Sequence, residues 1–391
     1  MKVLRITLSL DPVQGGVAQA IRSTVPRLLQ ADAECEVVTL DSPNASFIKN
    51  DRFKVHALGP ASTPWNYSKT LLPWLINNLS SYDAVIIDGL WTYTSHATIK
   101  AIGQLTLNRN NRVPKVFVMP HGMLDPYFQR DPSRRLKAIR NWFYWKLFEA
   151  KVINNADGLL FTCEQELLLA REPFKPYHPK REFNVGLGIE EPPVKSDEMV
   201  EEFLSSCAPL KGNPYFLFIS RIHEKKGVDI LVKSYARSRR SDSPKLVIAG
   251  PGLETPYGQQ ILQEVKDLGL ENEIFFPGML QGGRKWGAFY GSLAFCLPSH
   301  QENFGIAVVE ALACGRPVII SDQVNIWREI EDNGGGIISA DNSDGYTKSF
   351  ERWNQMSEQQ RTEMGVGARA AFEKHFSIVP AAKKMVAVLK Q

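Results

Sequence analysis

Short apolar runs alternate with longer amphipathic stretches along nearly the whole chain, and this rhythm restricts the fold more than any other feature. The runs Val3–Leu10, Glu36–Leu40, Lys54–Ala57, Ala84–Asp88, Lys115–Met119 and Gly158–Thr162 have the length and apolar content of buried strands. Helical patterns near Ala18–Leu29, Leu71–Leu79, Ser95–Leu107, Ser133–Asn154 and Glu164–Arg171 fall between them. Strands and helices alternating in this way build a parallel sheet with both faces covered.

The rhythm fails around Gly188–Pro214, where Pro192, Pro193, a charged stretch, Pro209 and Pro214 predict a linker with one short helix. A second series then begins, with strands at Tyr215–Ser220, Lys245–Ala249, Glu273–Phe276, Ala294–Leu297, Val318–Ser321 and Gly336–Ser339. Helical patterns at Val228–Ser238, Pro256–Leu268, Arg284–Tyr290, Ile306–Ala313 and Ile326–Glu331 connect them. The expected fold class is therefore α/β: two Rossmann-like, doubly wound domains facing across a cleft, which is the default ligand site. The predicted boundaries are 1–190 for the first domain, 191–214 for the linker and 215–375 for the second domain. A C-terminal helix over 376–391 is expected to pack back on the first.

Composition narrows the partners. In 391 residues, 46 Lys and Arg face 42 Asp and Glu, a net charge of +4 that is too mild to argue for nucleic acid. Cys35, Cys163, Cys207, Cys296 and Cys314 are scattered and form no C-x-x-C pair, which predicts reduced thiols in a cytoplasmic protein. The N-terminal MKVLRITLSLDP is broken by Arg5 and stopped by Asp11 and Pro12, so it reads as a strand and not as a signal peptide. No apolar run approaches the 18 or so residues that a membrane span requires.

Three segments carry candidate chemistry. Gly15 and Gly16, in PVQGGVAQAI, lie between a strand and a helix, where backbone amides can approach an anion; a plain βα turn has the same pattern. The spacing is neither G-x-G-x-x-G nor a P-loop, which argues against a dinucleotide oxidoreductase. Arg221 and Lys226, in SRIHEKKG after the strand YFLFIS, suit a diphosphate, since Arg forks its donors and Lys adds a compact charge. A solvated charged loop would look similar. In HQENFGIAVVEALACGRPVI, Glu302 falls in a loop and Glu310 more than a turn into the next helix. Carboxylates accept hydrogen bonds from vicinal hydroxyls, and the amides around Asn303–Ile306 open a helix N-terminus. The small and apolar neighbours of these glutamates are unlike a solvated face.

SRIHEKKGVDIL followed by ENFGIAVVEALACGRPVI resembles the signature of the retaining nucleotide-sugar glycosyltransferases of family 4, which have the GT-B fold. The GGVAQA turn, PHGM at 120–123 and ADGLLFTCEQE at 156–166 fit the same pattern, so the resemblance spans most of the chain. It implies that Arg221 and Lys226 clamp the donor diphosphate, that Glu310 binds the donor ribose and that Glu302 lies by the transferred sugar. It further implies that Asn303, Phe304, Gly305 and Ile306 contact the donor, that His121 meets the reacting ring, and that Gly15 and Gly16 approach the phosphates. For His121 a capped loop histidine is the alternative. The first domain would bind the acceptor and the second the nucleotide sugar. The family often has an Asn-Gly-Val-Asp-like run where this chain has Leu187, Gly188, Ile189 and Glu190, so no role is carried to Glu190.

The implied activity is transfer of a hexose from a nucleotide-diphosphate sugar, UDP- or GDP-linked, to a saccharide or lipid-linked acceptor in polysaccharide or glycolipid synthesis. No cofactor is expected. No D-x-D triplet occurs, so Arg221 and Lys226 would take the place of a metal. Two alternatives are a GT-B-folded UDP-sugar epimerase and a catalytically silent sugar-nucleotide binding module; the joint presence of Arg221, Lys226, Glu302 and Glu310 argues against a decayed site. Finally, residues 130–153 interleave Arg130, Arg134, Arg135, Lys137, Arg140, Lys146 and Lys151 with Trp142, Phe143, Tyr144, Trp145 and Phe148. Such a helix either lies peripherally on the inner face of an anionic membrane or turns its aromatic side into the core.

Overall fold

The computed structural model describes residues 1–107, 112–210 and 212–391. They form two compact units, Met1–Ile189 with Ile378–Gln391, and Glu190–Ser377.

The first unit is a seven-stranded, wholly parallel sheet of β1 (Lys2–Ile6), β2 (Glu34–Thr39), β3 (Val55–Ala57), β4 (Ala84–Asp88), β5 (Lys115–Met119), β6 (Gly158–Phe161) and β7 (Glu182–Asn184). Its spatial order is β3-β2-β1-β4-β5-β6-β7. The central strands are buried on both faces, which is why Ala84–Ile87 and Val116–Met119 read as unbroken apolar runs. The second unit is a six-stranded parallel sheet of β8 (Tyr215–Ile219), β9 (Lys245–Ala249), β10 (Ile274–Gly278), β11 (Ala294–Leu297), β12 (Val318–Ser321) and β13 (Gly336–Ser339). Its order is β10-β9-β8-β11-β12-β13. In both sheets the winding reverses beside the first strand, between β1 and β4 and between β8 and β11. Such reversals open a crevice beyond the carboxyl ends of the strands. Both units are thus Rossmann-like α/β layers, the expected fold class.

Some local expectations fail for physical reasons. The first strand ends at Ile6 and not Leu10, because the Asp41 carboxylate accepts from the Leu10 amide at 2.8 Å and the Ser9 hydroxyl at 2.6 Å and turns the chain away. The edge strand β7 has only three residues, too few for a periodic signal. Residues 191–214, expected as a linker, belong to the second unit. Their helix Asp197–Ser206, capped by Ser196, packs on the helix Gly282–Gly291, and Phe203 is fully buried. Burying that one ring contributes about 2–3 kcal/mol. The helices touch closely enough that a Cβ on Gly287 would stand 1.9 Å from the Met199 carbonyl oxygen. The last helix, Ile378–Lys390, packs on Gly16–Gln30 and sends Met385, Val386 and Leu389 into the core around Ile21, Val25 and Leu28.

Candidate functional site

In the second unit the site grows from the reversal between β8 and β11. The loop after β8 holds Arg221 exposed, with no hydrogen-bond or ion-pair partner among the described residues. It then makes a tight turn at Glu224–Lys226 and enters the helix Val228–Ser238 through Gly227 at φ +65°. A Cβ there would lie 2.1 Å from the Pro298 carbonyl oxygen, so only glycine lets this loop close on the loop after β11. The Lys225 carbonyl accepts from the His300 amide and the Ser299 hydroxyl, each at 2.9 Å. Gly250 and Gly252 after β9 are close approaches of the same kind: a Cβ would stand 1.9 Å from the Ser220 carbonyl oxygen at the first and 2.5 Å from that of Ile222 at the second.

This interlock brings the Lys226 ammonium onto the Glu302 carboxylate as a half-buried ion pair. Burial alone would push the Glu302 carboxyl upward; the charges of Lys226 and Lys225 and the Asn303 amide outweigh it and hold the group below the usual carboxylate range. Glu302 is fixed through its backbone too, donating to the Gln323 carbonyl and accepting from the Asn325 amide, both at 2.9 Å. Beyond it, Gly305 at φ +74° opens the helix Ile306–Ala313, whose N-terminus has no side-chain cap. The first-turn amides are therefore available to an anion. Asn303 is half-buried, whereas the Phe304 ring is buried edge-on against Phe376 and is a packing group.

Glu310 lies on the same helix. Burial raises its carboxyl above the usual range, although Lys285 Nζ stands 2.7 Å from Oε1 and opposes the rise. Lys285, on the helix Gly282–Gly291, had no motif to announce it; nor did Gly250 and Gly252, whose only signal is the AGPG that follows a strand.

In the first unit, Gly15 at φ +90° precedes the exposed Gly16, the first residue of the uncapped helix Gly16–Gln30 after β1. His121, after β5, holds φ +53°, a conformation that disfavours side-chain-bearing residues. Its Nε2 lies 2.8 Å from Asp88 Oδ1 at the end of β4. Asp88 in turn receives Arg5 Nε at 2.9 Å and Nη2 at 2.5 Å, and Arg5 is itself buried in β1. Burial pushes the Asp88 carboxyl up, but the Arg5 charge and the hydrogen bonds of Arg5 and His121 keep it below its usual range. Glu166, after β6, accepts the Gly122 amide at 2.5 Å and the Thr162 amide and hydroxyl at 2.7 and 2.6 Å. Three adjacent strand ends thus hold the His121 loop. The sequence signals were a charge inside the first strand and an acid closing the fourth.

The basic segment is two-sided. Ala138, Asn141, Trp145 and Glu149 face inward over Arg135–Tyr144 and the π turn Trp145–Glu149. Leu136, Ile139, Trp142, Phe143 and Leu147 are 49–84% exposed beside exposed Arg135, Lys137, Arg140 and Lys146. Only part of the aromatic face enters the core. Among the described residues, no helix is long and apolar enough to cross a membrane, and no three His, Cys, Asp or Glu side chains gather in a group that could hold a metal ion.

Two parallel-sheet Rossmann-like units with these strand-end loops define the GT-B class. Residues 201–370 match the family described as glycosyl transferases group 1, and residues 15–181 the glycosyl transferase 4-like domain. The chain belongs to the GT4-type GT-B glycosyltransferases. It is 23% identical over 358 residues to an uncharacterized glycosyltransferase of Methanocaldococcus jannaschii, covering 86% of this chain and 84% of that one. It is 29% identical over 167 residues to the D-inositol 3-phosphate glycosyltransferase of Gordonia bronchialis, covering 40% of this chain and 36% of that protein. Anabaena Alr3699/HepE, solved in complex with UDP and glucose, superposes with a TM-score of 0.76 at 16% identity, over 100% of this chain and 99% of that one.

Proposed function

We propose that the protein moves a hexose from a nucleoside-diphosphate sugar to a saccharide or lipid-linked acceptor, with retention of anomeric configuration and without a metal. The observation that carries this reading is the Lys226–Glu302 pair beside the exposed Arg221 and the bare amides of the helix Ile306–Ala313. A diphosphate supplies the anion that this cluster lacks. It draws Lys226 from Glu302 and meets the fork of Arg221. Glu302 is then released toward the hydroxyls of the transferred sugar, while Glu310 accepts from the ribose hydroxyls. The amides from Asn303 to Ile306 complete the second unit's contacts to phosphate and sugar. UDP bound to Alr3699/HepE supports a uridine donor.

In the chemical step the anomeric C–O bond breaks and its electron pair goes to the diphosphate. The acceptor oxygen bonds to C1 on the same face, and its proton passes to the departing phosphate oxygen. Arg221 and Lys226 stabilise the charge growing on the leaving group, an effect worth about 3 kcal/mol per donor in comparable sites. Acceptors carrying lipid fit the exposed basic and apolar stripe of 130–153, which we read as a peripheral contact with the cytoplasmic face of a membrane.

Incubation with UDP-, GDP- and ADP-linked hexoses and an acceptor panel, with NMR of the new linkage, tests the reading. The expected product keeps the donor's α configuration, and Lys226→Ala lowers kcat by at least a hundredfold. A β-linked product, a trapped glycosyl-enzyme, or isomerised donor without transfer would overturn it.

A further inference from the structure

A groove of about 950 Å³ runs along the amino-terminal edge of the second sheet. Pro214, Pro244 and Pro317, which line it, immediately precede β8, β9 and β12. It therefore lies at the opposite end of the strands from Arg221, Lys226 and Glu302, which follow the carboxyl ends of β8 and β11.

Four arginines enter the groove, and only one is neutralised. Arg369 pairs with Glu191 and Glu373. Arg240, Arg316 and Arg361 have no carboxylate within ion-pair distance among the described residues; Asp242 and Glu358 line the groove at exposed positions without reaching them. Arg316 is held by a single bond from Nη1 to the Ser292 carbonyl at 3.1 Å, and its buried Nε has no acceptor. Arg361 donates from Nη2 to the Trp353 carbonyl at 2.9 Å and stacks over the Trp353 ring at 5.1 Å, leaving its own buried Nε unpaired. The Trp353 side chain, 1% exposed and in the groove wall, also has an Nε1–H without an acceptor.

A half-buried guanidinium whose Nε is buried with neither an acceptor nor a counter-charge is costly unless something outside the chain supplies one. We infer that this groove is a binding site for a phosphate-bearing anion, separate from the donor site, with Arg316 and Arg361 as its principal ligands. Planar guanidinium forks match the oxygens of a phosphate, and removal of that charge from water strengthens both contacts. The volume falls in the range of small-molecule pockets and exceeds what a bare ion fills. The prolines offer apolar walls to the organic part of a phosphate monoester. Burial also draws the Arg316 guanidinium below its ordinary pKa, as expected where the charge has no partner.

The test uses the full chain with Lys226→Ala, which disables the donor clamp. Thermal shifts are titrated with inorganic phosphate and, separately, with ribose 5-phosphate. Saturable stabilisation is expected to survive Lys226→Ala and to weaken at least tenfold with Arg316→Gln or Arg361→Gln. Arg361→Lys, which keeps the charge but not the fork, is expected to fall between. Tighter binding of ribose 5-phosphate than of inorganic phosphate would place a monoester in the groove; equal affinity would make the free ion its occupant. If Arg316→Gln does not fold, Arg361→Gln and the exposed Arg240→Gln carry the comparison. Stabilisation abolished by Lys226→Ala alone, or unchanged in Arg361→Gln and Arg240→Gln, would overturn the inference.

Discussion

The Lys285 ammonium lies 2.7 Å from Glu310 Oε1, across two helices of the second unit. Lys285 opposes the rise that burial imposes on the Glu310 carboxyl. In Lys285→Met that counterweight is gone and the Glu310 pKa climbs further. The donor KM is then expected to rise as the pH falls, beginning at a higher pH than in the parent protein. Glu310→Gln should raise the donor KM about tenfold at every pH, equivalent to about 1.4 kcal/mol of binding. Steady-state kinetics between pH 5.5 and 8.5 separate the two; identical pH profiles for parent and Lys285→Met would refute the assignment.

Asp88 balances Arg5 deep in the first sheet, so Asp88→Asn strands a buried guanidinium. A loss of about 3–5 kcal/mol in stability is expected, with activity falling as His121 loses its anchor. The apolar double variant Arg5→Met/Asp88→Leu should be destabilised less than Asp88→Asn. Urea unfolding followed by tryptophan fluorescence checks the order.

Glu149 is fully buried. Burial pushes its carboxyl up to about 7, although Ser95 and the Trp91 amide donate to Oε1. The folded protein therefore binds a proton that the unfolded chain has already released between about pH 4.5 and 7. Stability falls as the pH rises through that window, by about 3 kcal/mol, and is level above it. Glu149→Gln should remove the slope. Melting temperatures at half-unit pH steps would show it.

Gly227→Ala forces a side chain into positive φ and against the Pro298 carbonyl. About 1–3 kcal/mol of strain is expected. Loss of the loop geometry should weaken UDP binding at least tenfold, as read by calorimetry. Unchanged UDP affinity would show that the interlock does not shape the donor site.

The triple reversal Arg135→Glu/Lys137→Glu/Arg140→Glu exchanges three exposed positive charges for negative ones. At about 1 kcal/mol per basic residue near an anionic surface, flotation with phosphatidylglycerol vesicles should drop by two orders of magnitude or more, with turnover of a water-soluble acceptor unaffected. A parent protein that fails to float would remove the membrane contact.

The legible parts of this chain are those whose signal is local. Apolar runs such as Ala84–Ile87 and Val318–Ile320 announce central parallel strands because both their faces are covered. Arg221, Lys226 and Glu302 were visible because strand, loop and helix follow one another within a few residues. Lys285 meets Glu310 from a helix 25 residues away, and Asp88 meets His121 across two strand ends; neither pairing leaves a periodic trace. Residues 191–214 misled because three buried side chains, Phe203, Cys207 and Leu210, hold a stretch rich in proline and charge whose other described residues are exposed or half-buried. Segments that pack through few residues look like tethers until their partner is known.

The thirteen residues Ile378–Lys390 finish a core that Val3 and Ile21 begin, and the Ile378 amide donates to the Ile189 carbonyl at 3.1 Å where the chain returns. During synthesis the first unit must therefore wait, with an apolar face uncovered, until all of Glu190–Ser377 has left the ribosome. A stop codon that removes only the last helix would spare every donor-side residue and still leave the opening half of the protein unfinished.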